Sequence, residues 1–311
     1  MIVGRFLKAK MRRIALIVFL PLFFACVSMS PVLGERETRP GVFSAIENVS
    51  PLWQPLAADS EEKPAILYFA GITKEPRLEF WALKAELGDP RLRLVISGPE
   101  KDLPFGSVYS THVTGFVKTK NCLAGINTNP FDKVSAKEGE ERKIAGLSVS
   151  DGVIVSPADP AFDAIVFYRD GGAAIVSQAE IGDLQNVENA AGGFGMVLKE
   201  GRIPERVRES QRYLRRHPRS AAGLSNGGKT LFLLVVDGRR PGSAGATEAE
   251  LGLLLKQLGA EWGLNFDGGG SSVLALRFPD GRVRAVNMPI HNYIPGWERG
   301  VASCLGLKSN T

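Results

Sequence analysis

The stretch from Leu231 to Ser272 constrains the fold more than any other part of the chain. Leu231-Phe232-Leu233-Leu234-Val235-Val236 is an uninterrupted apolar run of strand length, which reads as a strand buried on both faces. Thr247-Glu248-Ala249-Glu250 then has the form of a capping box, with Thr247 as N-cap and Glu250 at N3. Leu251, Leu254, Leu255 and Leu258 follow at helical spacing, and Gly259 suits a left-handed helix cap. A second short strand, Leu264 to Phe266, runs into Asp267. Strand, helix and strand in this order predict a parallel pair joined by a right-handed crossover. Asp237 ends the first strand and Asp267 the second, so both carboxylates are expected at one carboxyl edge, where open α/β sheets bind ligands. Two acids there can divide general acid and base work between them. Taken singly, each also reads as the ordinary turn residue of an Asp-Gly pair.

Gly268, Gly269 and Gly270 follow Asp267, and Ser271 and Ser272 follow them. Without side chains, successive N–H groups can converge on an anion, and the serine hydroxyls suit phosphate or sugar oxygens. The bland alternative is a turn that lets two strands pack closely. Three glycines in a row carry an entropic cost, which favours a close approach of the backbone to something. Upstream, Gly223 to Thr230 matches the phosphate-loop pattern G-x-x-x-x-G-K-T letter for letter. That motif requires a helix after the loop, whereas Thr230 opens the apolar strand and Asn226-Gly227 reads as a hairpin turn, so an ATPase is rejected.

The first two thirds of the chain reads as strands broken by turns, with strands expected at Ile66 to Phe69, Trp81 to Leu87, Leu92 to Ser97, Ile165 to Tyr168, Ala173 to Ser177 and Met196 to Leu198. The fold class expected is therefore α+β: a mixed, mostly β sheet core with a C-terminal strand–helix–strand crossover that carries the site at its carboxyl edge. His112, His217 and His291 show no zinc-ligand spacing. Arg212, Arg215, Arg216 and Arg219 form a basic cluster that reads largely as a solvated helix face, with Arg219 beyond any helix and free to point elsewhere. Asn127 reads either as a ligand amide or as a turn cap.

The formal charge of +5 does not indicate nucleic acid. Arg5, Lys8, Lys10, Arg12 and Arg13 lie in the leader, and the rest of the chain balances at 33 basic against 33 acidic residues. Behind that basic stretch, Ile14 to Ala25 is apolar and too short to span a bilayer, the build of a signal peptide over residues 1–25. Phe23-Phe24-Ala25-Cys26 resembles a lipobox, so Cys26 is either acylated or removed by cleavage nearer Gly34. A tether over 26–64 and a single domain over 65–311 follow. In an exported protein Cys122 and Cys304 either form a disulfide or remain two separate buried thiols.

Several of these segments together resemble the phosphodiester glycosidase domain family. The residues that carry the resemblance are Asp237-Gly238-Arg239, Thr247 with Glu250-Leu251, Gly259-Ala260, and Asn265-Phe266-Asp267-Gly268-Gly269-Gly270-Ser271-Ser272. His217-Pro218-Arg219-Ser220-Ala221, Ala124 to Asn127, Asn287 with Pro289, and Glu298-Arg299 with Val301 are similar to further family segments, over a span from about Phe80 to Leu307. One departure stands out: Thr128-Asn129-Pro130-Phe131 replaces the small residues and aromatic pair that many members carry after the Asn.

The resemblance implies a hydrolase that cleaves the anomeric bond between a sugar and a phosphate esterified to a second group. It assigns Asp267 and Asp237 to acid/base or nucleophilic roles, with Glu250 as a third candidate. Arg219 and Arg299 are assigned to phosphate, and Asn127, Thr247, Gly268, Gly269, Gly270, Ser271 and Ser272 to substrate binding. No cofactor is required by the sequence, although the acids are of the type that holds Ca²⁺ or Mg²⁺, and spacing leaves that open. The expected partner is a sugar phosphodiester or phosphorylated glycan of the cell envelope, in the periplasm or at the cell surface. Nucleic acid is not expected, and the membrane is reached only through a lipid on Cys26. The reading from a different class is a non-catalytic envelope lipoprotein that binds phosphorylated glycan in the same pocket.

Overall fold

All seven residues of the strand Thr230–Val236 are buried, because the sheet that contains them is covered on both faces. The computed structural model describes residues 49–56, 64–209 and 214–310, which belong to one unit spanning 39–311. On one face of this seven-stranded sheet, Phe80, Ala221, Phe232, Leu234 and Val236 pack against Leu251, Leu254, Leu255 and Leu258 of the helix Glu248–Leu258. On the other, Leu231, Leu233, Val235 and Leu264 join a core shared by two five-stranded sheets, which supply Ile126, Leu274 and Leu305 from one and Ile165, Phe167 and Ile175 from the other. The fold is mainly β.

The helix forms as its sequence dictates. Thr247 Oγ1 accepts from Glu250 N at 3.2 Å, Glu250 Oε2 accepts from Thr247 N at 2.9 Å, and Gly259 ends the helix at φ 107°. The turn at Asn226-Gly227 is equally regular, with φ of 54° and 62°, and Thr230 opens a strand, so no phosphate loop forms.

Strand pairing differs from expectation. Arg219–Ser225 lies between Thr230–Val236 and Trp262–Asn265 and is antiparallel to both. The two outer strands therefore run in the same direction without forming the expected parallel pair. The Asn226-Gly227 turn folds Arg219–Ser225 directly onto its successor and takes the adjacent slot. Every strand ladder among the described residues is antiparallel, so the sheets are not mixed.

The helix Val113–Thr119 was not expected. It covers the outer face of one five-stranded sheet, where Phe116 and Val117 pack with Cys122, Val273, Ala275 and Cys304. Both cysteines are free, and burial pushes the Cys122 thiol up to about 11 and raises that of Cys304.

The leader, Cys26 and most of the 26–64 tether lie outside the described residues. Residues 49–56 are part of the domain: Gln54–Pro55 pairs with Leu67 and Tyr68, and Trp53 packs on Phe69 and Phe232 with ring centroids 5.9 and 6.3 Å apart. No helix among the described residues is long and apolar enough to cross a membrane.

Candidate active site

Val236 pairs with Arg219, and Asn265 with Ala221, so Asp237 and Asp267 leave the sheet at the edge where Arg219 enters it. There the half-buried Asp267 carboxylate faces Ser271, Arg299 and Arg239. Burial pushes its carboxyl up to about 6, against the opposing pull of the Ser271 hydroxyl, Arg299, the Gly268 N–H and Arg239. Asn127 fixes the main chain beneath it. Its Nδ2 donates to the Asp267 carbonyl at 2.7 Å, while its Oδ1 accepts from Ser220 Oγ at 2.7 Å and Val273 N at 3.2 Å. With donor and acceptor both engaged, Asn127 supports the site and does not reach a ligand.

Two of the three glycine N–H groups in the run are engaged within the chain. Gly268 N–H faces the Asp267 carboxylate, Gly269 N–H donates to Pro218 O at 2.8 Å and Ser271 N–H to Gly268 O at 3.2 Å. The glycines also admit two guanidinium groups onto bare backbone. A Cβ at Gly269, whose φ is 63°, would lie 2.9 Å from Arg239 Nη2, and one at Gly270 would lie 2.7 Å from Arg299 Nη2.

Arg299 is held from both sides: Nη1 donates to Ser271 Oγ at 3.1 Å and Nε to His291 Nδ1 at 3.2 Å. Burial first, and then the Arg299 charge, lower the His291 pKa, so the ring is a neutral acceptor at Nδ1. Arg239 lies over the ring of Tyr293, 5.2 Å from its centroid. In the sequence no site role is assigned to Arg239, His291 or Tyr293: Arg239 enters only within the Asp237-Gly238-Arg239 motif, His291 only as lacking zinc-ligand spacing, and Tyr293 not at all.

Several expected site residues are placed elsewhere or are fully engaged. Asp237 is 1% exposed; Oδ1 accepts from Asn287 Nδ2 at 3.0 Å and Met288 N at 3.1 Å, and Oδ2 from Arg240 Nε at 2.9 Å and Nη2 at 2.7 Å. Glu250 is also buried, and its carboxylate is shared between Thr247 N and the guanidinium of Arg216. Both carboxylates are taken up by these partners, whereas Asp267 is only half-buried. Thr247 is the helix cap, not a ligand.

Arg219 is 7% exposed and donates to Ala246 O at 3.1 Å, Arg215 O at 3.1 Å and Glu248 Oε1 at 3.3 Å, which binds the helix N-terminus to the sheet in place of a phosphate. Arg239, not among the residues expected to hold phosphate, is the guanidinium that lies against Gly269 instead. The Ser272 hydroxyl is buried without a hydrogen-bond partner among the described residues, and its carbonyl accepts from Asn287 Nδ2 at 2.9 Å. Among the described residues no three His, Cys, Asp or Glu side chains cluster as a metal site. A cavity of about 660 Å³ lined by Phe105, Phe131 and Lys143 shares no residue with the Asp267 cluster.

The chain is 28% identical over 212 residues to the SPbeta prophage-derived uncharacterized protein YomE of Bacillus subtilis, a match covering 65% of this chain and 30% of the relative. The chain thus spans under a third of that curated protein. Among solved structures, the catalytic domain of zebrafish N-acetylglucosamine-1-phosphodiester alpha-N-acetylglucosaminidase, auto-inhibited by its pro-peptide, is similar at a TM-score of 0.61 and 20% identity. That match covers 84% of this chain and 88% of the other. A hypothetical protein from Synechocystis matches at a TM-score of 0.59 and 14% identity over 80% of this chain and 64% of its own. At these identities the likeness is one of fold. The profile of the phosphodiester glycosidase family matches residues 120–308, more than half of the chain and all the residues around Asp267. This chain belongs to the phosphodiester glycosidase family.

Proposed function

We propose that the protein hydrolyses the anomeric carbon–oxygen bond of a sugar-1-phosphodiester. The observation that carries this reading is a single reachable carboxylate, Asp267, set between two guanidinium groups seated on backbone. Cleavage of the bond between the anomeric carbon and the phosphate oxygen releases a phosphate monoester whose second pKa is about 6. Such a group departs without prior protonation, and its growing charge is met by Arg239 and Arg299. Ionised Asp267 takes a proton from the water that adds to the anomeric carbon, and that proton then passes to solvent. One carboxylate suffices for this chemistry, which accounts for the engagement of Asp237 and Glu250 elsewhere.

The leader supports a setting outside the cytoplasm. In this reading the basic and apolar segments of residues 1–25 direct export, acylation of Cys26 attaches the protein to a membrane, and the substrate is a phosphodiester-linked glycan of the envelope.

The test is release of free sugar from α- and β-linked sugar-1-phosphodiesters by the full chain. Wild type is expected to release sugar with kcat/KM rising as Asp267 ionises through a pH of about 6. Arg299→Ala is expected to lower kcat/KM on the order of 100-fold, the scale for removing one donor to developing negative charge. Absence of release across the panel, or an Arg299→Ala variant as active as wild type, contradicts the reading.

A further inference from the structure

The loop between Arg284 and Glu298 contains no charged residue, yet it lies at the edge of a site lined with arginines. Of the twelve large hydrophobic side chains exposed among the described residues, four fall in this loop: Met288, Tyr293, Ile294 and Trp297. Tyr293 is the most open of the four, at 71%. An exposed apolar patch beside a polar site marks something that covers it.

The loop is built to hold these side chains out. Its first end is tied to Asp237 through Met288 N at 3.1 Å, and its last to Ser271 through Arg299 at 3.1 Å. In between, His291 N donates to Trp297 O at 3.0 Å and Gly296 N to Pro289 O at 2.8 Å, while the His291 ring packs edge-on against Trp297 with centroids 5.5 Å apart. Asn292 and Tyr293 both take left-handed backbone conformations, at φ 49° and 63°. For a residue as bulky as Tyr that conformation is unusual and persists only where the surroundings impose it. It leaves the Tyr293 ring under the guanidinium of Arg239, the same group that rests on Gly269 beside Asp267.

A phosphodiester held by Arg239 and Arg299 has two ester oxygens. If the sugar is directed to Asp267, the other oxygen has Arg239 and the Tyr293 ring beneath it on its far side, and Ile294 and Met288 are the exposed apolar residues of the same loop. Ile and Met offer no hydrogen bonds to a sugar or a peptide, and a charged group would find no partner within the loop. The complement of such a surface is hydrocarbon next to a negative charge. We infer that the second alcohol of the substrate is apolar, so that the preferred substrates are sugar phosphodiesters of a long-chain or lipid alcohol, with the loop Met288–Trp297 seating the chain. The inference rests on the reading of the site as one for sugar phosphodiesters.

The test separates the two. In the first arm, calorimetry on the full chain measures binding of dimethyl, butyl methyl and octyl methyl phosphate, kept below their aggregation concentrations. Affinity is expected to rise by about two-fold or more per methylene, since full burial of each is worth up to about four-fold. The rise should flatten in the Met288→Ser, Ile294→Ser double variant. In the second arm, hydrolysis of a sugar-1-phosphate bearing a methyl or an octyl ester is expected to show the same preference in kcat/KM. Equal binding of all three phosphates, or a chain-length dependence that the double variant keeps, overturns the inference. If both esters are hydrolysed alike and binding is flat, only the inference falls; if neither is hydrolysed while binding still follows chain length, the activity reading falls and the apolar seat stands.

Discussion

Asp267→Asn is expected to lower turnover by about a thousand-fold while making the protein more stable at neutral pH, because the carboxylate proposed as the base is held in the folded state at an energetic cost. Burial pushes its carboxyl up to about 6 in the fold from the ordinary 3.8. An acid whose folded pKa is raised binds more protons folded than unfolded between those two values, so stability falls as pH rises through that window. The full cost, reached above pH 6, is roughly 3 kcal/mol at about 1.36 kcal/mol per pKa unit. Asn keeps the shape and carries no charge to desolvate. Urea unfolding at pH 4 and pH 8 checks this: the variant should gain little at the lower pH and most at the higher. A variant less stable than wild type at pH 8 would show that the charge of Asp267 is needed to hold Arg239 and Arg299 in place.

Asp237→Ala is expected to act in the opposite sense, by loss of stability of about 3–5 kcal/mol, the range for removing one partner of a buried ion pair. The carboxylate accepts from Arg240, Asn287 and Met288 N, so its removal takes a partner from each; Asn287 keeps its bond to Ser272 O. Glu79 also pairs with Arg240, which places the cost towards the lower end of the range. In denaturation the midpoint should fall steeply. Below that midpoint the fraction still folded should keep kcat within about ten-fold of wild type, since Asp237 serves to anchor the Asn287–Met288 segment. A well-folded Asp237→Ala protein with no turnover would instead return Asp237 to the chemistry.

Local chemistry was legible in the sequence wherever neighbours in the chain decide it. The Thr247–Glu250 box, the cap at Gly259 and the turn at Asn226-Gly227 depend on spacings of a few residues and form as read. The position of Asp267 at a strand's end and the need for small residues after it were also readable. What occupies the space beside the glycines was not, because Arg239 and Arg299 arrive from segments 30 residues away on either side. Arg239 stands in the sequence only as the third residue of Asp237-Gly238-Arg239, and where its side chain goes depends on the folded backbone, at φ 59°.

Glu250 and Asp237 illustrate the reverse error. A carboxylate near a predicted site looks available until its partners, Arg216 for one and Arg240 with Asn287 for the other, are brought in by tertiary structure. The helix Val113–Thr119 escaped notice because it is seven residues long, has Gly115 within it and lacks a side-chain cap at His112.

In the proposed reaction the bond broken joins oxygen to the anomeric carbon and not to phosphorus. Hydrolysis of a sugar-1-phosphodiester in heavy-oxygen water tests it directly, with mass spectrometry of both products. Heavy oxygen is expected in the released sugar and none in the phosphate monoester; heavy oxygen in the phosphate would overturn the proposed reaction and make the protein a phosphodiesterase acting at phosphorus.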